Sequence, residues 1–463
     1  MQPEPYPVAV KNPVRLQPRL EATCTRLAGE YNFKPHIGQL PNGELLLFVA
    51  HAHAEEVVTT HTATDAPRAL TSHVVLYRSG DGGKTWGQGR HVRELMSGHE
   101  PSVSVLDGVV FVIVHIHGSG QYPDPYAERD HSYWVIARSD DGGHTFERTI
   151  LDETFLRAGR GQRMDGSRNL IQLKDGRLFT LFGAGSAHRG LYSSDGGKSW
   201  KVEDVEVCGC RYEGRERAFS AEAVFFQTPG GRLMMLGRVD FAYTTFESEL
   251  PFDTHYKRET KLDNFDGEVL FESVDAGKTW VPIRAVGFPA LMYPSVVHLE
   301  GNRMLLTYTV REVPPEGTGC LHPKVGIQAI VFEEQDEGGF DFDFSKDVIV
   351  IDDCTPASMR NAGGFGNTLQ LSDGTLITPF SYPLIDADIL EMADRKEYLK
   401  EEVFDTWARM QDTYSWRYRD FVREEWDAEL QELHLRRSFS ALFLYARCGN
   451  KGGIGTAVVR WKI

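Results

Sequence analysis

Residues 79–86 read SGDGGKTW, and the same eight-residue pattern recurs as SDDGGHTF at 139–146, SSDGGKSW at 193–200 and SVDAGKTW at 273–280. Each copy follows a strand-like run, such as HVVLYR before the first and YWVIAR before the second. In a β-hairpin turn the aspartate accepts backbone N–H groups, glycine supplies a positive φ, and an aromatic residue fills a gap between sheets. The four copies therefore predict four equivalent turns, with a degenerate fifth copy, EQDEGGF, at 334–340.

A second repeat lies between these turns and consists of a short strand, a turn around glycine and a returning strand. Its copies include EPSVSVLDGVVFVIV and SRNLIQLKDGRLFTLF, and its turn glycines are residues 43, 108, 176, 231, 301 and 374. Repeats of 55 to 73 residues that cannot bury an apolar face alone are typical of stacked architectures. The sequence predicts an all-β, six-bladed β-propeller that occupies residues 1–463 as a single domain.

The four turns resemble the Asp box, also called the BNR repeat, of the sialidase-like (neuraminidase) superfamily. The resemblance implies that these turns join the third and fourth strands of a blade, on the face opposite the ligand site. They are therefore expected to be scaffold and not catalytic.

The composition excludes some function classes. The chain has 463 residues, a formal charge of −16 and no apolar run of the ~18 residues that a membrane span needs. An acidic surface repels phosphate backbones, so we expect no nucleic-acid partner. The first residues lack a signal-peptide core, which predicts a cytoplasmic protein, or a secreted or periplasmic one if the chain is a processed form. The six scattered cysteines indicate buried thiols, and neither a metal nor a cofactor is expected.

One segment interrupts the repeats. Residues 385–437 contain no glycine or proline and place apolar residues at roughly helical spacing, so one or two amphipathic helices are expected inside blade six. They form either a packing or homo-oligomer contact, or a lid beside the ligand pocket.

The resemblance also points to site residues. Sialidases carry a glutamate at the start of an inner strand and an arginine sixteen positions later, and this chain has Glu222 and Arg238 at that separation. The resemblance implies that Glu222 polarises a nucleophilic tyrosine and that Arg238 holds the substrate carboxylate. A β-hairpin of that length brings its last residue back beside its first, at the same end of the two strands.

Other candidates lie at corresponding strand ends. Tyr293, in the run LMYPSV, is a candidate nucleophile, sugar-stacking platform or inter-blade plug. Arg311 and Arg168 are expected to complete a cationic clamp with Arg238, since guanidinium groups bind carboxylates in bidentate fashion. The family's first-blade Phe-Arg-Ile-Pro motif falls near residues 33–36, which read FKPH and contain no arginine.

Histidines concentrate near strand ends of the first two blades, at positions 36, 51, 53, 99, 115 and 117. They suggest general acid/base chemistry or sugar binding near neutral pH, with a metal or a purely structural role as alternatives. We take His53 as a catalytic candidate and His36 as a substrate-binding one. Glu100, beside His99, is a second carboxylate that, with Glu222, provides the pair that a glycosidase needs.

These observations favour an exo-acting glycoside hydrolase that cleaves a terminal, acidic sugar. Two alternatives stay open. Asp boxes also occur in proteins without hydrolase activity, so a non-catalytic carbohydrate-binding propeller fits the same fold. The histidine-rich region fits a uronate lyase with a histidine or tyrosine base.

Overall fold

The structure is a computed structural model of the chain. It describes residues 2–27, 32–52, 72–116, 128–160, 162, 164–184, 187–208, 211–212, 215–216, 219–239, 267–288, 290–310, 319–324, 326–335, 338–352, 366–383 and 454–463. Within these ranges the regular structure is all β, without a helix. The described residues accordingly hold no helix with the length and apolar character of a membrane span.

The strands, numbered in chain order, have the following bounds: β1 Glu4–Pro5, β2 Val8–Lys11, β3 Arg19–Leu20, β4 Ala22–Arg26, β5 Asn32–Gln39, β6 Leu45–Ala52, β7 Ser72–Ser79, β8 Arg90–Met96, β9 Gly98–Leu106, β10 Val109–Ile116, β11 Tyr133–Ser139, β12 Glu147–Leu151, β13 Met164–Gly166, β14 Ile171–Gln172, β15 Leu178–Ala184, β16 Ala187–Ser193, β17 Lys201–Val207, β18 Arg211–Tyr212, β19 Arg215–Glu216, β20 Phe219–Gln227, β21 Leu233–Val239, β22 Gly267–Ser273, β23 Thr279–Val286, β24 Leu291–His298, β25 Arg303–Val310, β26 Gly326–Glu333, β27 Val348–Asp352, β28 Leu369–Gln370, β29 Leu376–Pro383 and β30 Ile454–Trp461.

Antiparallel units of four sequential strands form a propeller-like arrangement. The orders β5-β6-β7-β8 and β9-β10-β11-β12 are separate sheets, and β20 to β23 and β24 to β27 repeat the same order within larger sheets. The second strand of a unit is apolar on both faces, as in LLLFVA at 45–50, because neighbouring units cover it from both sides. The core therefore lies between adjacent units and not within one sheet.

The last sheet combines both ends of the chain. Strand β30 pairs with β29 on one side and with the N-terminal strand β4 on the other, from Ala457 opposite Arg26 to Trp461 opposite Ala22. Strand β2 similarly extends the sheet of β27. The predicted helical segment 385–437 lies outside the described residues.

The four repeated turns share one hydrogen-bond pattern. In the first, Asp81 Oδ1 accepts from Ser79 Oγ (2.8 Å) and from the backbone N–H groups of Lys84 and Thr85 (3.0 Å each). Ser79 Oγ in turn accepts from Gly83 N–H. The serine and aspartate of the other three copies make equivalent bonds. Burial opposes ionisation of Asp81, but the hydrogen bonds from Thr85, Ser79 and Lys84 outweigh it and lower its pKa to about 2.

The aromatic residue that ends a turn packs between units. Trp280, which is fully buried, packs against Phe179 and Phe225 and donates its indole N–H to Gly277 O (3.1 Å). Phe146 contacts Phe48 edge-on in the same way. The turns therefore anchor one unit to the next at a distance from the cavity described below.

Candidate active site

The inner strands begin at a common rim, and each presents one residue there. The position lies eight or nine residues before the turn glycine of each hairpin copy. Four inner strands, β5, β9, β20 and β24, carry a register shift near this point. Such β-bulges re-aim side chains and are common next to active sites. The residues at this position are Lys34, Glu100, Arg168, Glu222, Tyr293 and Gly366.

Four of these residues have a left-handed backbone, with φ of 51° at Lys34, 56° at Glu100, 51° at Tyr293 and 113° at Gly366. For residues other than glycine such values are uncommon and accumulate at functional sites. At Gly366 an added Cβ would overlap the carbonyl oxygen of Pro379, so this sector of the rim is bare backbone.

Four of the rim side chains and Arg238 form a chain of alternating charges. Arg238 Nη1 donates to Glu222 Oε2 at 2.6 Å, and Arg168 Nη2 lies 3.9 Å from the same oxygen. Arg168 Nη2 also lies 3.5 Å from Glu100 Oε2, and Glu100 Oε1 accepts from Lys34 Nζ. Each glutamate is thus placed between two cations, which favours its ionised form. Together these five groups carry three positive and two negative charges.

Arg238 reaches the rim as the sixteen-residue spacing predicts. Strand β21 returns alongside β20, with Gly237 opposite Ala223, and brings the guanidinium to the Glu222 carboxylate. On the other side of β21, Arg238 lies opposite the buried Glu268 of β22 in the strand register. Glu268 was not among the sequence candidates, because it begins a strand that follows a long segment without a recognisable motif.

Tyr293 lies under Arg168. The guanidinium carbon of Arg168 is 4.4 Å from the centroid of the tyrosine ring, within the range of a cation–π interaction. The Tyr293 ring is largely buried, and the guanidinium of Arg168 covers one of its faces. Tyr293 therefore belongs to the same cluster as Glu100 and Glu222, through Arg168.

His36 and His99 lie beside this cluster in different environments. Burial, and secondarily the charge of Arg168, lowers the pKa of His36 to about 3, so this imidazole is neutral near neutral pH. Its Nδ1 accepts the backbone N–H of Val103 on the next inner strand, so the ring proton is on Nε2. His99 is buried, with Nε2 3.0 Å from Lys34 Nζ.

A cavity of about 290 Å³ continues from the rim between the inner strands. Lys34, Arg168 and Tyr293 line it at the strand starts, and Gln39 and Leu106 line it further along the strands. Side chains join neighbouring inner strands along its wall. Asn169, for example, bonds both backbone groups of Phe225 (2.8 and 2.9 Å). The inner strands that carry the rim side chains are therefore joined to one another by side-chain hydrogen bonds.

The remaining sequence candidates are not part of this cluster as described. His53 and Arg311 lie outside the described residues, as does His117. His51 bonds Asn32 Oδ1 through Nδ1 (2.9 Å), and the ring of His115 packs on Trp134. In the part of the chain that the structure describes, no three His, Cys, Asp or Glu side chains are arranged to hold a metal ion.

Lys34 was missed as a candidate. The sequence showed only that an arginine is lacking at residues 33–36. Its position relative to the turn glycine was an available signal, since it matches the positions of Glu100, Arg168 and Glu222 in the other hairpins.

No protein-family model and no curated protein matches this chain. Among solved structures, a protein of unknown function from Dyadobacter fermentans DSM 18053 superposes with a TM-score of 0.53 and 18% identity, over 82% of this chain and 94% of that one. A Hadza microbial sialidase (TM-score 0.48, 16% identity, 76% of this chain) and the NanB sialidase from Streptococcus pneumoniae (0.49, 12%, 76%) also superpose. This chain spans 63% and 66% of those two sialidases. The Dyadobacter protein supports the fold alone, and the two sialidase superpositions, below a TM-score of 0.5, support nothing further.

Proposed function

We propose that the chain is an exo-acting glycoside hydrolase with a sialidase-like, six-bladed β-propeller, and that it releases a terminal acidic sugar. In this proposal the four repeated turns are its Asp boxes and serve as scaffold. One observation carries the proposal. Glu100 and Glu222 approach the same guanidinium nitrogen of Arg168, to 3.5 and 3.9 Å, beside Tyr293 at the end of a cavity.

The spacing of the carboxylates suits glycoside chemistry. Because both oxygens approach one nitrogen, at 3.5 and 3.9 Å, their separation cannot exceed the sum of these distances, so both carboxylates are close enough to act on one sugar ring. Ionised carboxylates on either side of a sugar ring stabilise an oxocarbenium-like transition state. We assign this role to Glu222 and Glu100, with Tyr293 as nucleophile or platform.

The cations at the rim favour an acidic substrate. Arg168 lines the cavity, and Arg238 contacts Glu222 beside it. Arg168 and Arg238 supply planar guanidinium groups that suit a carboxylate. Arg311 is proposed as a further member of this clamp.

The proposed proton donor is a residue other than Glu100, Glu222 and His36. Glu100 and Glu222 are held ionised by their neighbours and His36 is neutral, so none of the three is suited to protonate a leaving group. We propose His53 for this step. Replacing His53 by Ala is then expected to remove activity toward substrates with poor leaving groups, and to spare aryl glycosides whose leaving group needs no proton.

The proposal is tested by screening the purified protein against chromogenic glycosides of sialic acid, glucuronic acid and neutral deoxy sugars. We expect release from an acidic glycoside, and a more than tenfold lower turnover in Glu222→Gln with folding intact. Glu147→Gln, on an exposed strand position, is the matched control and should keep wild-type turnover. An unchanged rate in Glu222→Gln would remove this carboxylate from the site.

A non-catalytic carbohydrate-binding propeller is the second candidate. Its support is that both glutamates are already paired with cations, so the cluster is stable without chemistry. It predicts saturable binding of an acidic sugar, measured by calorimetry, with no release from any glycoside in the screen. The helical segment 385–437 stays a predicted lid or homo-oligomer contact in either case.

A further inference from the structure

Lys34 occupies the rim position of the first inner strand but is more deeply buried than its neighbours. Its side chain is 2% exposed, whereas those of Glu100, Arg168 and Glu222 are 13–15% exposed. A substrate resting on the rim therefore reaches Glu100 and Arg168 before it reaches Lys34. Lys34 also lines the cavity, and its ammonium group contacts neighbouring side chains through which it can act on the substrate.

The backbone fixes the direction of this side chain. The left-handed conformation of Lys34 (φ 51°) sits at the register shift between Phe33 and His36. Its backbone N–H donates to Ser381 Oγ at 2.7 Å, which holds the bulge against strand β29. The side chain is thereby directed toward strand β9, which supplies the polar groups of His99 and Glu100.

Two partners of the Lys34 ammonium within the described part of the chain are adjacent residues. It contacts Glu100 Oε1 and lies 3.0 Å from His99 Nε2. Since an ammonium group only donates, His99 Nε2 accepts, and the imidazole proton is on Nδ1. The other oxygen of Glu100 faces Arg168. Each oxygen of this carboxylate is thus matched with one cation, and its plane is fixed between them.

We propose that Lys34 is a positioning residue that acts through Glu100, holding this carboxylate ionised and oriented toward the substrate, and that it does not bind the substrate itself. The proposal rests on the proposed function of the site. Among the residues that the structure describes, Lys34, Arg168 and His99 are the titratable or charged groups that face Glu100, with Glu222 beyond Arg168. Without Lys34 one cation is lost, so Glu100 should take up a proton at higher pH.

The test is the pH dependence of kcat and KM for Lys34→Met, Lys34→Arg and wild type on the acidic glycoside that the screen identifies. We expect Lys34→Met to lower kcat at least tenfold with KM changed less than threefold. The acid limb of the pH profile of kcat should move to higher pH in Lys34→Met. Lys34→Arg keeps the positive charge, so its acid limb should return to the wild-type pH and most of kcat should be recovered. Lys201→Met, at a lysine that is 77% exposed, is the control.

Two results would overturn the proposal while the wild type is active. One is a raised KM with unchanged kcat in Lys34→Met, which would make Lys34 a substrate ligand. The other is an acid limb that stays at the wild-type pH. A wild type that releases no sugar refutes the proposed function, and this proposal falls with it. If Lys34→Met does not fold, the folding of the double variant K34M/E100Q tests whether Lys34 and Glu100 form a charge pair. It should fold if the two charges form a pair, and its failure to fold contradicts the pairing.

Discussion

The Glu222–Arg238 pair is expected to couple strongly in unfolding measurements. Arg238→Met leaves the Glu222 carboxylate, whose side chain is only 15% exposed, with Arg168 at 3.9 Å as the next cation among the described residues. Breaking a buried ion pair by removing one partner costs about 3–5 kcal/mol. Since Arg168 compensates in part, we expect a loss of about 2–3 kcal/mol. Unfolding entropy near 2.1 cal/mol/K per residue makes this a fall of roughly 2–3 °C in Tm for a chain of this length.

The assay is a double-mutant cycle of Arg238→Met and Glu222→Gln, followed by urea and thermal unfolding. The double variant restores the net charge of the cluster, so its destabilisation should be about 2 kcal/mol less than the sum of the two single variants. Lys201 and Glu203 supply a matched control, because their charged atoms are also 2.6 Å apart but the lysine is 77% exposed. That pair should couple by about 0.5 kcal/mol or less. Equal coupling in the two cycles would refute the reasoning.

Three further predictions concern the scaffold and pH. Trp280→Ala, at a fully buried aromatic between two units, should cost about 3–5 kcal/mol of unfolding free energy, measured in urea, and an effect under 1 kcal/mol would contradict its packing role. The folded-state pKa of Asp81 is lowered to about 2, so its stabilising effect is full above pH 4 and lost as pH falls toward 2. Asp81→Asn should flatten the stability profile over that window. The pKa of His36 falls to about 3 in the fold, so the unfolded chain takes up a proton below pH 6.5, and stability decreases from there toward pH 3. His36→Asn, which keeps an acceptor for Val103, should reduce this decrease, and an unchanged profile would show that His36 does not cause it.

The strand hairpins and repeated turns were accessible from the sequence because their chemistry is local. The seven residues from Ser79 to Thr85 already contain the serine and aspartate acceptors and the N–H donors that hold the first turn. The pairing of β4 with β30 was not accessible. It joins Cys24 to Val459, more than four hundred residues apart, and neither segment carries a motif for the other.

In the candidate site, too, some contacts follow from the local sequence and others depend on how distant strands pack. The approach of Arg238 to Glu222 follows from hairpin length, which the sequence contains. The role of Lys34 depends on a left-handed bulge and on a contact with the next inner strand, and neither follows from the residues at 33–36. Arg168 was predicted as a substrate clamp, but its position between Glu100, Glu222 and Tyr293 depends on how β9, β20 and β24 pack around the segment between β13 and β14.

The central claim is that the cluster around Arg168 recognises and cleaves an acidic terminal sugar. The most direct measurement compares kcat/KM for the acidic glycoside that is hydrolysed with kcat/KM for its methyl ester. Removing one charge-assisted contact is worth about 1.5–3 kcal/mol, so we expect the free acid to be preferred by at least roughly tenfold. The preference should shrink in Arg238→Met. Equal turnover of acid and ester by the wild type would contradict the account.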